Sequence, residues 1–227
     1  VNRKYILGAI VAAVVVVAAL VIFSVTGGDD EVSPDSIQAV DQVMAEFEGI
    51  PQDGPTLGQA DAPVEIIEFG DMQCPACASS ARSTLPDVVR EFVKPGTAKI
   101  TFVPIAFLGD DSERGALGAE AAAMQDGMWP FMTVLYHNQG SENSGWLTEA
   151  VMQAVADGIG LDVDQWKKDF GGQEVVTAFF EAASRAEEAN VPSTPTFVFH
   201  GPDGTTQFSG AKDISAFRDA IEQVHSS

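Results

Sequence analysis

The stretch EIIEFGDMQCPACASS, Glu65 to Ser80, constrains this chain more than any other. Strand-forming residues lead directly into two cysteines three apart, with Pro75 and Ala76 between them. A proline is at home in the first turn of a helix, where its missing N–H is not needed. Cys74 therefore falls at the N-cap of a helix opened by Pro75, with Cys77 one turn further on. Unpaired N–H groups and the helix dipole at that end stabilise a thiolate. A thiol so placed drops from about 8.5 into the range of about 3.5–7.5 and becomes nucleophilic at neutral pH.

Two plainer readings compete with redox chemistry. A structural disulfide closing so short a loop would constrain little of the unfolded chain. A metal site needs more ligands than one CxxC, and His137, His200 and His225 show no ligand spacing. Strand–CPxC–helix is the stronger pattern, so Cys74 and Cys77 are expected to form an exchangeable redox pair, with no metal and no other cofactor.

The flanking sequence supplies a frame. Val64 to Phe69 reads as a strand, Pro75 to Val93 as a helix bent at Pro86, and Ala98 to Pro104 as a second strand. Together they make a β-α-β unit, whose strands should be parallel. A helical region of about 85 residues follows, broken by Gly and Asp. Thr196 to His200, a GPDG turn and TTQFSG then read as a hairpin, and Asp213 to Val224 as a closing amphipathic helix. The fold class is α/β. Trp129, Phe131, Tyr136, Trp146 and Trp166 are read as core aromatics, and so are Met72 and Phe107, with a substrate groove as the alternative for those two.

Before this domain comes Tyr5 to Val25, a 21-residue run without a charge and long enough to cross a bilayer. Arg3 and Lys4 precede it and Asp29, Asp30 and Glu31 follow, so the positive-inside bias puts the rest of the chain outside the cytoplasm. A cleaved secretory signal is the rival, but its apolar core would normally be shorter, and no small-x-small cleavage site stands near Val25. An uncleaved single-pass anchor over 1–25 is the expectation. A linker over 26–55 follows, with a short amphipathic helix at Ser36 to Glu48, and the compact domain spans 56–227. Either way the compartment is oxidising, where paired cysteines have work to do.

Net charge narrows the partners. The chain carries 33 acidic against 12 basic side chains, a formal −21. Such a surface repels a phosphate backbone, so nucleic-acid binding is excluded as a function, and solubility is the plain use of the charge.

Taken together, EFGDMQCPACASS, the helical insertion at about 106–190 and VPSTPTFVF resemble the DsbA-like thiol-disulfide oxidoreductases of the thioredoxin superfamily. The resemblance runs roughly from Thr56 to the C-terminus. With its anchor, the chain is similar to the membrane-tethered members of bacteria without an enclosed periplasm. The resemblance implies a thioredoxin fold with an inserted helical subdomain and a catalytic disulfide between Cys74 and Cys77. It also implies reduced secreted proteins as substrates, and recharging by a quinone-linked membrane partner of the DsbB or vitamin K epoxide reductase type. Cys74 matches the family's exposed nucleophile and Cys77 its buried partner. Glu68 matches an acidic residue beneath the site that relays protons, and alternation puts it on the strand face of Val64 and Ile66. Pro195 matches the family's cis-proline and Thr194 the residue before it, whose backbone would pair with a substrate strand. Pro75-Ala76 departs from the Pro-His of strongly oxidising members, and Asp71, if near Cys74, would raise its pKa. Both leave the direction of electron flow open between oxidase and reductase or isomerase. A non-redox peptide-binding module is the reading from another class. No dimerisation domain is evident, so a monomer is expected.

Overall fold

The structure is a computed structural model that describes residues 32–225; the Tyr5–Val25 run lies outside them. Among the described residues no helix is long and apolar enough to cross a membrane.

A 3-10 turn at Pro34–Ser36 leads into α1 (Val40–Phe47), then β1 (Gln52–Asp53), β2 (Thr56–Leu57) and β3 (Val64–Gly70). Helix α2 (Pro75–Ser83) carries the cysteines and is followed by α3 (Leu85–Val88), a π-helical turn at Val89–Val93 and β4 (Ala98–Pro104). Five helices intervene before the sheet resumes: α4 (Asp110–Ala123), α5 (Met128–His137), α6 (Glu149–Gly158), α7 (Val163–Asp169) and α8 (Gln173–Glu188). Strands β5 (Thr196–Gly201) and β6 (Gly204–Ser209) and helix α9 (Ile214–Val224) complete the chain.

The sheet has the order β1-β2-β4-β3-β5-β6. Strands β3 and β4 are parallel, as the β-α-β reading requires, while β5 runs antiparallel to β3 and to β6. This is a thioredoxin-like α/β sheet with a helical insertion between β4 and β5. The period of two along β3 divides its side chains between two apolar layers. Val64 and Ile66 join the larger core with Ile100, Phe102, Phe197 and Phe199, whereas Phe69 joins Val103, Val198, Ala182 and Ala186 in a smaller one. The first face is covered by α9, whose Phe217 meets Phe197 with ring centroids 4.8 Å apart, and the second by α8 against β4.

Three local departures from the sequence expectation have physical causes. The helix read from Ser36 begins only at Val40, because the Gln38 backbone exchanges two hydrogen bonds with the Asn138 side chain and Ala39 takes φ 65°. The bend ascribed to Pro86 falls at Thr84, before the proline rather than on it. A proline ring crowds the backbone preceding it and offers no N–H, so α2 closes with Thr84 N–H on the Ser80 carbonyl and a new helix starts. The segment read as linker carries β1, which pairs with β2 just beyond it, and Val43 of α1 is fully buried in the larger core against α5.

Candidate active site

Strand β3 ends at Gly70, and the chain turns through Asp71, Met72 and Gln73 to place Cys74 at the N-cap of α2. Only glycine fits at position 70, since a Cβ there would lie 2.5 Å from the Phe102 ring. Cys74 is 8% exposed and Cys77 is fully buried, and neither is bridged. One thiol can thus be reached from solvent and the other only through it.

Their acidities diverge. The hydrogen bond from the Cys77 thiol, then the contact with Thr194 and the backbone N–H groups of Cys77 and Ala76, bring the Cys74 thiol down to about 6 against the opposing effect of burial. Burial drives the Cys77 thiol well above its ordinary value, helped by the hydrogen bond and charge of Cys74 and by the charge of Glu68. Cys74 is thus the thiol that ionises near neutral pH, and Cys77 the one that stays protonated. The sequence placed this thiolate at a helix N-terminus, and hydrogen bonds made there hold it.

Glu68 stands on the face predicted for it, with Val64 and Ile66, and pairs in register with Phe102 on β4 and Phe197 on β5. It is fully buried, and neither carboxyl oxygen has a hydrogen-bond partner. Desolvation raises its pKa to about 8, so it is mostly protonated at pH 7. Its charge, when ionised, is felt by the Cys77 thiol, so the two groups are close enough for protonation of one to depend on the other.

The peptide bond between Thr194 and Pro195 is cis. Pro195 is buried, and its carbonyl accepts from Gly210 N–H at 2.7 Å. Thr194 is half-buried, and its carbonyl accepts the Cys74 thiol at 3.3 Å. The structure therefore brings Cys74, Cys77, Thr194, Pro195 and, beneath them, Glu68 into one site.

Asp71 differs from expectation. Its carboxylate accepts from Gln73 N–H at 2.8 Å, Phe107 N–H at 2.7 Å, Leu108 N–H at 3.2 Å and Ser112 Oγ–H at 2.6 Å. Occupied by four donors, it ties the turn before Cys74 to the start of the insertion and is not among the groups that shift Cys74. Gln73 does similar work: its amide donates to the Leu108 carbonyl and Ser112 Oγ and accepts from Asn143 N–H at 2.6 Å. The Gln139 amide donates to the carbonyls of Met72 and Cys74, and Tyr136 OH to that of Asp71. Of the side chains in this network, the sequence singled out Asp71 for its nearness to Cys74 and Tyr136 only as a core aromatic; Gln73 and Gln139 went unread. The signal for Gln73 was there, a polar side chain beside the nucleophile in an otherwise buried turn. Met72 and Phe107 part company, Met72 being buried and Phe107 53% exposed.

A family model described as Thioredoxin matches residues 51–223. The probable disulfide bond formation protein D of Bacillus cereus is 31% identical over 161 residues, covering 69% of this chain and 74% of that protein. Disulfide bond formation protein D of Bacillus subtilis is 29% identical over 63% of this chain and 65% of that protein. Among solved structures, oxidised BdbD of Bacillus subtilis superposes with a TM-score of 0.67 at 24% identity, covering 75% of this chain and 92% of that one. The α-DsbA1 of Wolbachia pipientis gives a TM-score of 0.63 at 18% identity, over 79% and 94% of the two chains, a likeness of fold. With a fully buried cysteine and a slightly exposed one at a helix N-terminus at the end of β3, the chain belongs to the thioredoxin family and is a DsbA-like thiol-disulfide oxidoreductase.

Proposed function

We propose that the chain is an extracytoplasmic dithiol oxidase that introduces disulfides into secreted or surface proteins through Cys74-Pro75-Ala76-Cys77. The observation that carries this reading is the asymmetry of the two thiols, with the slightly exposed Cys74 favoured as thiolate at a helix N-terminus and the fully buried Cys77 held protonated. Stabilising the reduced form makes the disulfide a better oxidant.

In the oxidised protein a substrate thiolate attacks Cys74 Sγ. The Cys74–Cys77 bond breaks, and its electron pair leaves on Cys77 Sγ, which takes up a proton. Glu68, protonated at neutral pH, is the nearby donor and acts as the positioned acid for this step. A second substrate thiolate then attacks the substrate sulfur of the mixed disulfide, and Cys74 departs as a stable thiolate. The substrate loses two electrons and the protein gains them. The backbone of Thr194, beside Cys74 Sγ, is placed to pair with the substrate as an added strand. No cofactor beyond the disulfide is required. Recharging falls to a membrane partner, a quinone-linked protein of the DsbB or vitamin K epoxide reductase type, and Tyr5–Val25 keeps the domain at the membrane outside the cytoplasm as a monomer.

Mixing the purified, oxidised protein with a reduced, unfolded substrate tests the direction. One substrate disulfide should form per chain, with Cys77→Ala holding substrates as mixed disulfides on Cys74. A protein that leaves the substrate reduced but readily cleaves insulin disulfides is a reductase instead.

A further inference from the structure

Tyr136 belongs to the helical insertion, fully buried near the end of α5, yet its hydroxyl reaches the redox turn. The oxygen lies 3.2 Å from the Asp71 carbonyl and 3.1 Å from where a Cβ on Gly70 would stand. On its other side Arg82 of α2 donates to the Tyr136 carbonyl at 2.7 Å, so the cysteine helix itself holds the residue in place. Among the charges that act on the hydroxyl, that of Cys77 outweighs those of Glu68, Asp71 and Cys74. The exchange steps above make no use of this phenol.

The backbone between Gly70 and Met72 shows what it can do. The Gly70 carbonyl accepts Ile105 N–H at 2.8 Å. In a trans peptide the N–H points opposite to the carbonyl, so Asp71 N–H is turned away from Ile105. That N–H meets the Cys77 thiol and favours its charged form, against burial and the charges of Cys74 and Glu68. The next peptide unit is pinned as well, because the Asp71 carbonyl accepts both Cys74 N–H at 3.0 Å and Tyr136 O–H. The Asp71 backbone is thus held by β4's end on one side, and by the cysteine helix and the insertion on the other.

Opening the disulfide drives an electron pair onto Cys77 Sγ inside the core. Exchange is faster the more stable the departing thiolate, and a buried anion without a donor is costly. We propose that Tyr136 is a positioning residue for this step. Its hydroxyl, bonded to the Asp71 carbonyl, keeps Asp71 N–H on Cys77 Sγ while the Cys74–Cys77 bond breaks or re-forms. The incoming thiolate bonds to Cys74 Sγ, the broken bond leaves its electron pair on Cys77 Sγ, and no proton passes through Tyr136. The proposal rests on Cys77 being the buried leaving thiol of the function above, and it applies to either direction of electron flow.

This role has a signature. Burial keeps Cys77 protonated at rest, so the donor acts on the barrier and leaves the equilibrium alone. The test uses the full chain at pH 7, unaltered and as Tyr136→Phe, which removes one oxygen. Opening is followed by mixing the oxidised chain with reduced glutathione, and closing by loss of glutathione from its mixed disulfide with Cys74. If the Cys77 thiolate loses about tenfold in stability, a Brønsted coefficient of about 0.4–0.5 slows each step about threefold. Tyr136→Phe should therefore open and close about threefold more slowly, with the same equilibrium against glutathione and faster hydrogen exchange at the Asp71 amide. Unchanged rates overturn the proposal. So does slowing in one direction only with a displaced equilibrium, which would assign Tyr136 to the stability of one redox state. If Tyr136→Phe does not fold, the unaltered chain decides, since an Asp71 amide that exchanges as fast as an exposed one also overturns it. An unaltered chain that neither opens nor closes refutes the redox function itself, and the role of Tyr136 falls with it.

Discussion

One helical turn separates Cys74 from Cys77, and their surroundings drive them in opposite directions. Cys74 gathers hydrogen bonds that favour its charged form, while Cys77 is enclosed by apolar neighbours and faces the charges of Cys74 and Glu68. Glu68 completes the set as a buried acid with no partner. Its folded pKa of about 8 lies above the ordinary carboxylate value, so the folded state holds a proton that the unfolded state has released. The sign follows from that difference: burial of Glu68 is tolerated below about pH 4.5 and becomes progressively more destabilising as pH rises to about 8. Glu68→Gln, which cannot ionise, should gain on the parent across that window by a few kcal/mol in denaturant unfolding. It should also slow thiol exchange. A stability difference that does not change between pH 5 and pH 8, with an unaltered exchange rate, would take Glu68 out of the site.

At the scale of elements, the turn Gly70–Gln73 is held by the helical insertion as much as by its own strand. Asp71 alone anchors four donors drawn from the turn itself, the segment after β4 and α4. Removing the acceptor leaves buried donors unsatisfied, each costing about 1–3 kcal/mol. Asp71→Ala should therefore lower unfolding stability by about 3 kcal/mol or more, and Asp71→Asn, which keeps one acceptor oxygen, by less. Equal stability of all three proteins in denaturant melts would show that the anchor carries no weight.

This network also marks where the sequence stopped being legible. The strands, the cysteine helix and the insertion announce themselves through local period and punctuation, and Glu68 through one wrong-coloured position on an apolar face. Apart from the Gln73 N–H bond to Asp71 within the turn, the partners of Asp71 and Gln73 lie 35 to 70 residues away in sequence, and no local pattern records such pairings. The same holds for the late start of α1, set by Asn138 a hundred residues on. Strands of two residues, such as β1 and β2, are too short to carry a period at all. Asp71 beside Cys74 looked like an opposing charge only because its four donors could not be seen.

On the scale of the whole molecule, an acidic redox domain follows an uncharged run that begins behind Arg3 and Lys4. The chain's formal net charge of −21 disfavours contact with a nucleic-acid backbone. If Tyr5–Val25 is the anchor proposed above, trypsin added to intact cells should release the catalytic domain, and full protection until the cells are opened would place it on the other side of the membrane.

The claim on which the function turns is that the reduced form is favoured by the Cys74 thiolate. The redox equilibrium of the Cys74–Cys77 pair against glutathione measures it directly. A potential clearly above that of thioredoxin, and nearer the range of about −120 to −180 mV held by oxidising and isomerising members of the superfamily, is the predicted result. A potential at or below about −270 mV, the value for thioredoxin, would contradict it and make the protein a reductase.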